Sequence, residues 1–204
     1  MKKKLLCILL AAVMLLPITA CAKKKSYAEN LNDYVVTLAY HDNFNILQLT
    51  DLHWNVNTST TSSMTYLDKL LKETNDHIVA TQGPNAKIDL IELTGDMFML
   101  ANSYHLDTFI SYFEEKAEEY GFVYAPIWGN HDRHSLYHPN DLAKKFQNAK
   151  HCIYLEFSDD LYGRSNYIIN LTEDGTKNSA VAWMIANIDS GASFSETELS
   201  VSRD

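Results

Sequence analysis

From Val35 onward the chain alternates short apolar runs with stretches in which apolar residues recur every three or four positions. Val35 to Ala39 and Phe44 to Leu49 are compact apolar runs and read as strands. The period then changes. Met64, Leu67 and Leu71 fall three and four apart behind a Ser/Thr cluster, which predicts an amphipathic helix reaching to about Ala80. Gly83-Pro84-Asn85 stops it, and Ile88, Leu90, Ile91 and Leu93 make the next strand. Leu106, Phe109, Ile110, Phe113 and Ala117 share one helical face, and Gly121 follows as a stop. A second helix therefore precedes the strand Val123 to Trp128.

A strand, helix, strand, helix, strand order with near-continuous apolar strands predicts an α/β layer, in which sites form at the carboxyl ends of the strands. Asp141 to Ala149 reads as a short helix, and Cys152 to Phe157, Asn166 to Leu171 and Ala180 to Ile188 read as strands joined by turns such as Glu173-Asp174-Gly175. The later part is thus the more β-rich. No internal repeat, low-complexity segment or long linker divides the chain. After Ser190 the pattern fails, and Glu196 to Asp204 read as an unfinished element.

The N-terminus is of another kind. Lys2, Lys3 and Lys4 precede an apolar run from Leu5 to Leu16 that ends in Pro17-Ile18-Thr19-Ala20-Cys21, the layout of a secretory signal segment. Small residues before Cys21 resemble the lipobox of bacterial lipoproteins, in which that cysteine is acylated. The expected organisation is a signal peptide over 1–20, a lipidated Cys21 with a polar tether over 21–32, and a folded domain over 33–204. The expected location is the bacterial cell envelope outside the cytoplasm, with the membrane as a partner through the anchor. Of three cysteines, Cys7 leaves with the signal and Cys21 carries lipid, so Cys152 has no intrachain partner and a disulfide framework is excluded. Cys152 reads as a buried, small apolar thiol. The formal charge of −9 becomes more negative once three lysines are cleaved away, which excludes nucleic-acid binding by a basic face.

Three short motifs follow predicted strands: Asp51-Leu52-His53, Gly95-Asp96 and Gly129-Asn130-His131-Asp132. Carboxylate, imidazole and amide oxygen delivered from neighbouring strand ends are the donors that a pair of divalent cations needs. Residues two apart on a strand point the same way, so Asp51 and His53 can address one cation if strand geometry persists that far. Gly95 and Gly129 keep the backbone small beside the ions. Each residue also has an ordinary structural reading: Asp51 as a turn cap, Asn130 as a loop residue, His131 as an exposed side chain. His77 and His105 lie in helix-like stretches, and His41, His134, His138 and His151 have no motif around them. His134 and His138 are four apart, but no Glu follows the first and Pro139 follows the second, which disfavours a zinc-protease helix.

The order and spacing of these motifs resemble the calcineurin-like metallophosphoesterase superfamily, whose blocks are D-x-H, G-D and G-N-H-[DE], followed by a lone His and a G-H-x-H. Three of the five blocks match over about Asn45 to Asp132, and Leu161 to Ser190 loosely resembles the next part of secreted bacterial members. The resemblance implies an α/β fold, a sandwich of two β-sheets flanked by helices. It implies hydrolysis of phosphate monoesters or diesters by a hydroxide that two divalent metal ions activate, these being manganese, iron or zinc. Asp51 and His53 would bind the first ion, Asp96 would bridge both, and Asn130 would bind the second. His131 would be the catalytic proton donor or phosphate contact, and Asp132 a structural partner. Met99 stands where relatives carry a metal-binding tyrosine or an aspartate, and Trp54 and Asn55 replace a common glycine, a change expected to shape the pocket. No G-H-x-H occurs, so the chain is expected to hold the N-terminal part of such a domain. The alternative is a non-catalytic or degenerate lipid-anchored surface protein. Substrate and oligomeric state are not legible at this level.

Overall fold

The computed structural model describes residues 34–54, 60–99, 103–132, 139–156 and 163–190. The expected signal peptide, Cys21 and the tether lie outside the described residues, as do Asn55, His134, His138 and residues 191–204. The elements are β1 (Val35–Ala39), β2 (Ile46–Leu49), α1 (Thr60–Gln82), β3 (Leu90–Thr94), α2 (Ser103–Tyr120), β4 (Val123–Ile127), α3 (Pro139–Asn148), β5 (Tyr167–Thr172) and β6 (Val181–Asn187). They form two three-stranded sheets with helices, the mixed α/β architecture that the sequence predicts.

β2, β3 and β4 lie side by side and parallel, with Leu47 beside Ile91 and Ile91 beside Tyr124. Leu90, Ile91, Glu92 and Leu93 of the central strand are all buried, as expected of a parallel strand covered on both faces. The second sheet has the order β1-β5-β6, with β1 parallel and β6 antiparallel to β5. One hydrophobic cluster runs through both sheets and the helices. α1 contributes Leu67, Leu71 and Ile78, and α2 contributes Leu106, Phe109, Phe113 and Ala117, the stripe its spacing predicts. Aromatic rings fill the centre: Trp54 meets Phe109 edge-on at 5.3 Å, and Phe109 lies 4.7 Å from Phe113. Burying each such side chain contributes roughly 1.5–3 kcal/mol.

Two expectations need correcting. Of the expected strand Cys152 to Phe157, the described residues 152–156 form only a single bridge, Cys152 to Tyr124, with Ile153 N–H donating to the Tyr124 carbonyl at 2.7 Å; Phe157 lies outside the described residues. Ile153 and Tyr154 turn into the core instead, where Tyr154 packs on Trp128 and Phe146. Pairing stops after Ile153, and packing of Tyr154 takes over. Second, β2 starts at Ile46, not Phe44, because the backbone N–H of Asn45 is taken by the Asp89 carboxylate at 2.8 Å and that of Phe44 by the His41 carbonyl at 3.0 Å. Burial raises the Cys152 thiol well above its usual range, which agrees with a packing role.

Two contacts lock the second sheet to the end of β4: Tyr167 donates its hydroxyl proton to the Pro126 carbonyl at 2.9 Å, and Trp128 N–H donates to Ser165 Oγ at 2.9 Å. Among the described residues no helix is long and apolar enough to cross a membrane.

Candidate metal centre

The three motifs meet at the carboxyl ends of β2, β3 and β4. Asp51, His53 and Asp96 each offer a ligand atom, and these atoms lie within 4.8 Å of one another. His53 Nε2 is 3.6 Å from Asp51 Oδ1. Strand alternation does not produce this convergence. β2 ends at Leu49, and Asp51 and His53 have φ values of 54° and 45°, in the left-handed region. Asp96, with φ 51°, is a third such residue. A non-glycine residue held there costs on the order of 1–3 kcal/mol and persists where its surroundings over-determine it. Here the surroundings are a ladder between two loops: Asp51 N–H donates to the Gly95 carbonyl at 3.1 Å, His53 N–H to the Asp96 carbonyl at 3.0 Å, and Trp54 N–H to the Met97 carbonyl at 2.8 Å.

The third motif docks onto Asp96. A Cβ at Gly129 would stand 2.2 Å from Asp96 Oδ1 and 2.3 Å from its backbone nitrogen, so no side chain fits there. A Cβ at Gly95 would stand 3.0 Å from Gly129 Cα. The two glycines are therefore the contact that lets the loops close. His131 N–H donates to Asp96 Oδ1 at 2.9 Å, and the His131 ring lies edge-on to His53 with 5.2 Å between centroids. Asp132 is fully buried and accepts from Phe98 N–H and Gly129 N–H, each at 2.8 Å. It bolts the G-N-H turn to the G-D loop, the structural role expected of it. Burial pushes its carboxyl up to about 7 against the pull of these backbone donors.

Orientation extends one residue further out. Thr50 donates its hydroxyl proton to Asp51 Oδ2 at 2.6 Å, which leaves Oδ1 facing His53. His53 Nδ1 is buried without a hydrogen-bond partner. Two carboxylates and an imidazole that keeps an unsatisfied ring nitrogen are a donor set that suits a divalent cation of mixed oxygen and nitrogen preference. Asn130 is exposed on the same cleft of about 360 Å³, which Thr50, Asp51, Thr94, Asp96, Trp128, Ile188 and Ser190 also line.

Other sequence candidates lie elsewhere. Trp54 is fully buried against α2, its indole N–H reaching Thr108 Oγ1 at 3.3 Å, so it shapes the core and not the pocket. Met99 is exposed three residues past Asp96. His41 pairs with Asp89 at 3.0 Å and His151 with Glu118 at 3.0 Å, while His105 is buried on α2 and burial lowers its pKa. Thr50, Thr94, Ile188 and Ser190 are cleft residues that the sequence reading did not single out. The last two follow directly on β6, which carries no alternation from which their facing could be read.

The family model described as calcineurin-like phosphoesterase matches residues 44–185, a span that holds all three motifs. No curated protein matches the chain.

Proposed function

The chain belongs to the calcineurin-like phosphoesterase family, and from that membership we propose that it hydrolyses phosphate esters with two divalent cations held by Asp51, His53, Asp96 and Asn130. The observation that carries the reading is the convergence of the Asp51, His53 and Asp96 donors within 4.8 Å at the ends of adjacent parallel strands. When bound, such cations supply Lewis-acid activation of water and compensate the charge on the phosphoryl oxygens.

The chain's own residues set the rest. Asp51, with Oδ2 engaged by Thr50, presents Oδ1 beside the His53 imidazole, and the pair forms one half of the centre. Asp96 has one oxygen tied to His131 N–H and lies between the D-x-H and G-N-H loops, the position from which a carboxylate can bridge. Asn130 offers a neutral oxygen at the rim of the cleft. His131, fixed against His53 and Asp96, is the proton donor or hydrogen-bonding contact to the ester oxygen. The cleft walls carry carboxylates, so an anionic ester is repelled until cations outweigh them. Phosphate binding should therefore require metal.

The test is metal content per chain after exposure to manganese, iron or zinc, together with hydrolysis of p-nitrophenyl phosphate and its bis ester. Asp96→Asn keeps the shape and weakens the bridge. Loss of both bound metal and hydrolysis in this variant, with an unchanged circular dichroism spectrum, is the expected result. Hydrolysis that Asp96→Asn leaves intact would overturn the assignment.

A further inference from the structure

The segment that follows β6 is built into the cleft by a set of contacts that neither the metal donors nor the core requires. Asp189 is 2% exposed. Its Oδ2 accepts from Arg164 N–H at 2.7 Å and Ser165 N–H at 3.3 Å, while its own N–H donates to Asn166 Oδ1 at 2.9 Å. Gly163 makes room for this, since a Cβ there would stand 2.2 Å from the Asp189 carbonyl oxygen. Ser165 is in turn the acceptor for Trp128 N–H, next to the G-N-H turn. With Asp189 pinned inward, its neighbours on either side face outward: Ile188 and Ser190 both line the cleft, and Asp189 does not.

Ile188 is 67% exposed, a large apolar side chain held in the open beside the candidate metal centre. Half-buried Ile127 lies in the same, otherwise largely polar cleft, so Ile188 is its main exposed apolar side chain. Such a wall gains nothing from a phosphate group but does gain from an apolar alcohol portion of an ester, whose contact with Ile188 removes both from water.

We propose that Ile188, positioned by the buried Asp189, is a specificity-determining residue that selects phosphate esters whose alcohol portion is aromatic or otherwise apolar. This inference rests on the phosphoesterase reading of the adjoining cleft.

Phenylphosphonate and methylphosphonate carry the same anionic head group and differ in the apolar part, so their dissociation constants on the manganese-loaded full chain isolate the wall. Calorimetric titration of the wild type and of Ile188→Asn is the experiment. Since the side chain is exposed, the fold should tolerate the change, and an unchanged circular dichroism spectrum verifies this. The expected result is that the preference for phenylphosphonate falls about tenfold in Ile188→Asn while methylphosphonate binds as before. An unchanged ratio of the two constants, with both ligands binding, overturns the wall and leaves the phosphoesterase reading standing. If neither phosphonate binds the metal-loaded wild type, the phosphoesterase reading fails and takes this inference with it.

Discussion

Glu92 occupies the middle of β3 with 5% of its surface exposed and no well-formed hydrogen bond to either carboxyl oxygen, the Asn187 amide being its polar neighbour across the sheets. It faces Asn187 and Tyr167 of the second sheet, so its charge would have to be carried between the two sheets. Burial pushes its pKa from the ordinary 4.5 up to about 7, against a smaller opposing pull from the Asn187 amide. A carboxyl raised in the fold behaves opposite to a salt-bridged one. Between pH 4.5 and 7 the unfolded chain releases this proton while the folded chain keeps it, so stability falls as pH rises through that window. Below it both states are protonated and nothing is lost. Above it the full difference applies, on the order of 3 kcal/mol. Glu92→Gln keeps the shape and removes the ionisation. Urea unfolding of metal-free wild type and variant should therefore show a stability difference that grows in favour of Gln by up to about 3 kcal/mol between pH 4.5 and pH 8. Asp132 also titrates from burial, but it is present in both proteins, so its share cancels in the difference. A gap between the two proteins that stays constant with pH would refute the reasoning.

Two further substitutions probe the loops. Gly129→Ala places a Cβ 2.2 Å from Asp96 Oδ1, which must push the G-N-H turn off the G-D loop; a loss of about 1–3 kcal/mol is expected, with manganese affinity lost as well, and wild-type manganese binding in this variant would contradict the close approach. Asp51→Gly removes a side chain from a residue with φ 54°, so the metal-free protein should gain about 1 kcal/mol in urea unfolding from relieved strain while losing metal; a destabilised variant would show that the Thr50 contact outweighs the strain.

The elements around the first sheet were legible in the sequence because their burial leaves a local trace. β3 is covered on both faces, so Leu90 to Leu93 are all buried and apolar except for Glu92. α1 and α2 are covered on one face, so Leu67 and Leu71, or Phe109 and Phe113, recur at helical spacing. The same trace misleads where an apolar run stays buried after its pairing has ended. Ile153 and Tyr154 look like strand residues, yet the pairing ends with the Ile153 N–H on Tyr124 and Tyr154 packs on Trp128 and Phe146, and nothing local distinguishes a pairing partner from a packing partner. Element ends were misread where a side chain replaced a ladder bond, as Asp89 does at Asn45.

The candidate centre shows a sharper division. The meeting of the three motifs was legible, because each follows a strand of one parallel sheet, and the family match covers the same span. The centre's conformation was not. D-x-H suggested two side chains on one face of a continuing strand, whereas the chain reaches the same convergence through two left-handed residues around Leu52. Asp and His tolerate that region better than branched residues do, so the residue types that hold cations are also types that can hold this backbone. The hydrogen bonds that enforce it run from the D-x-H loop to the carbonyls of Gly95, Asp96 and Met97, that is, to the loop carrying the next donor. Strain in one loop is thus balanced by contacts with the other. The Gly95 and Gly129 approach extends the coupling to the third motif. Candidate donors from different strands are therefore held as one body, and the glycines in the motifs set their convergence as much as the donor residues do.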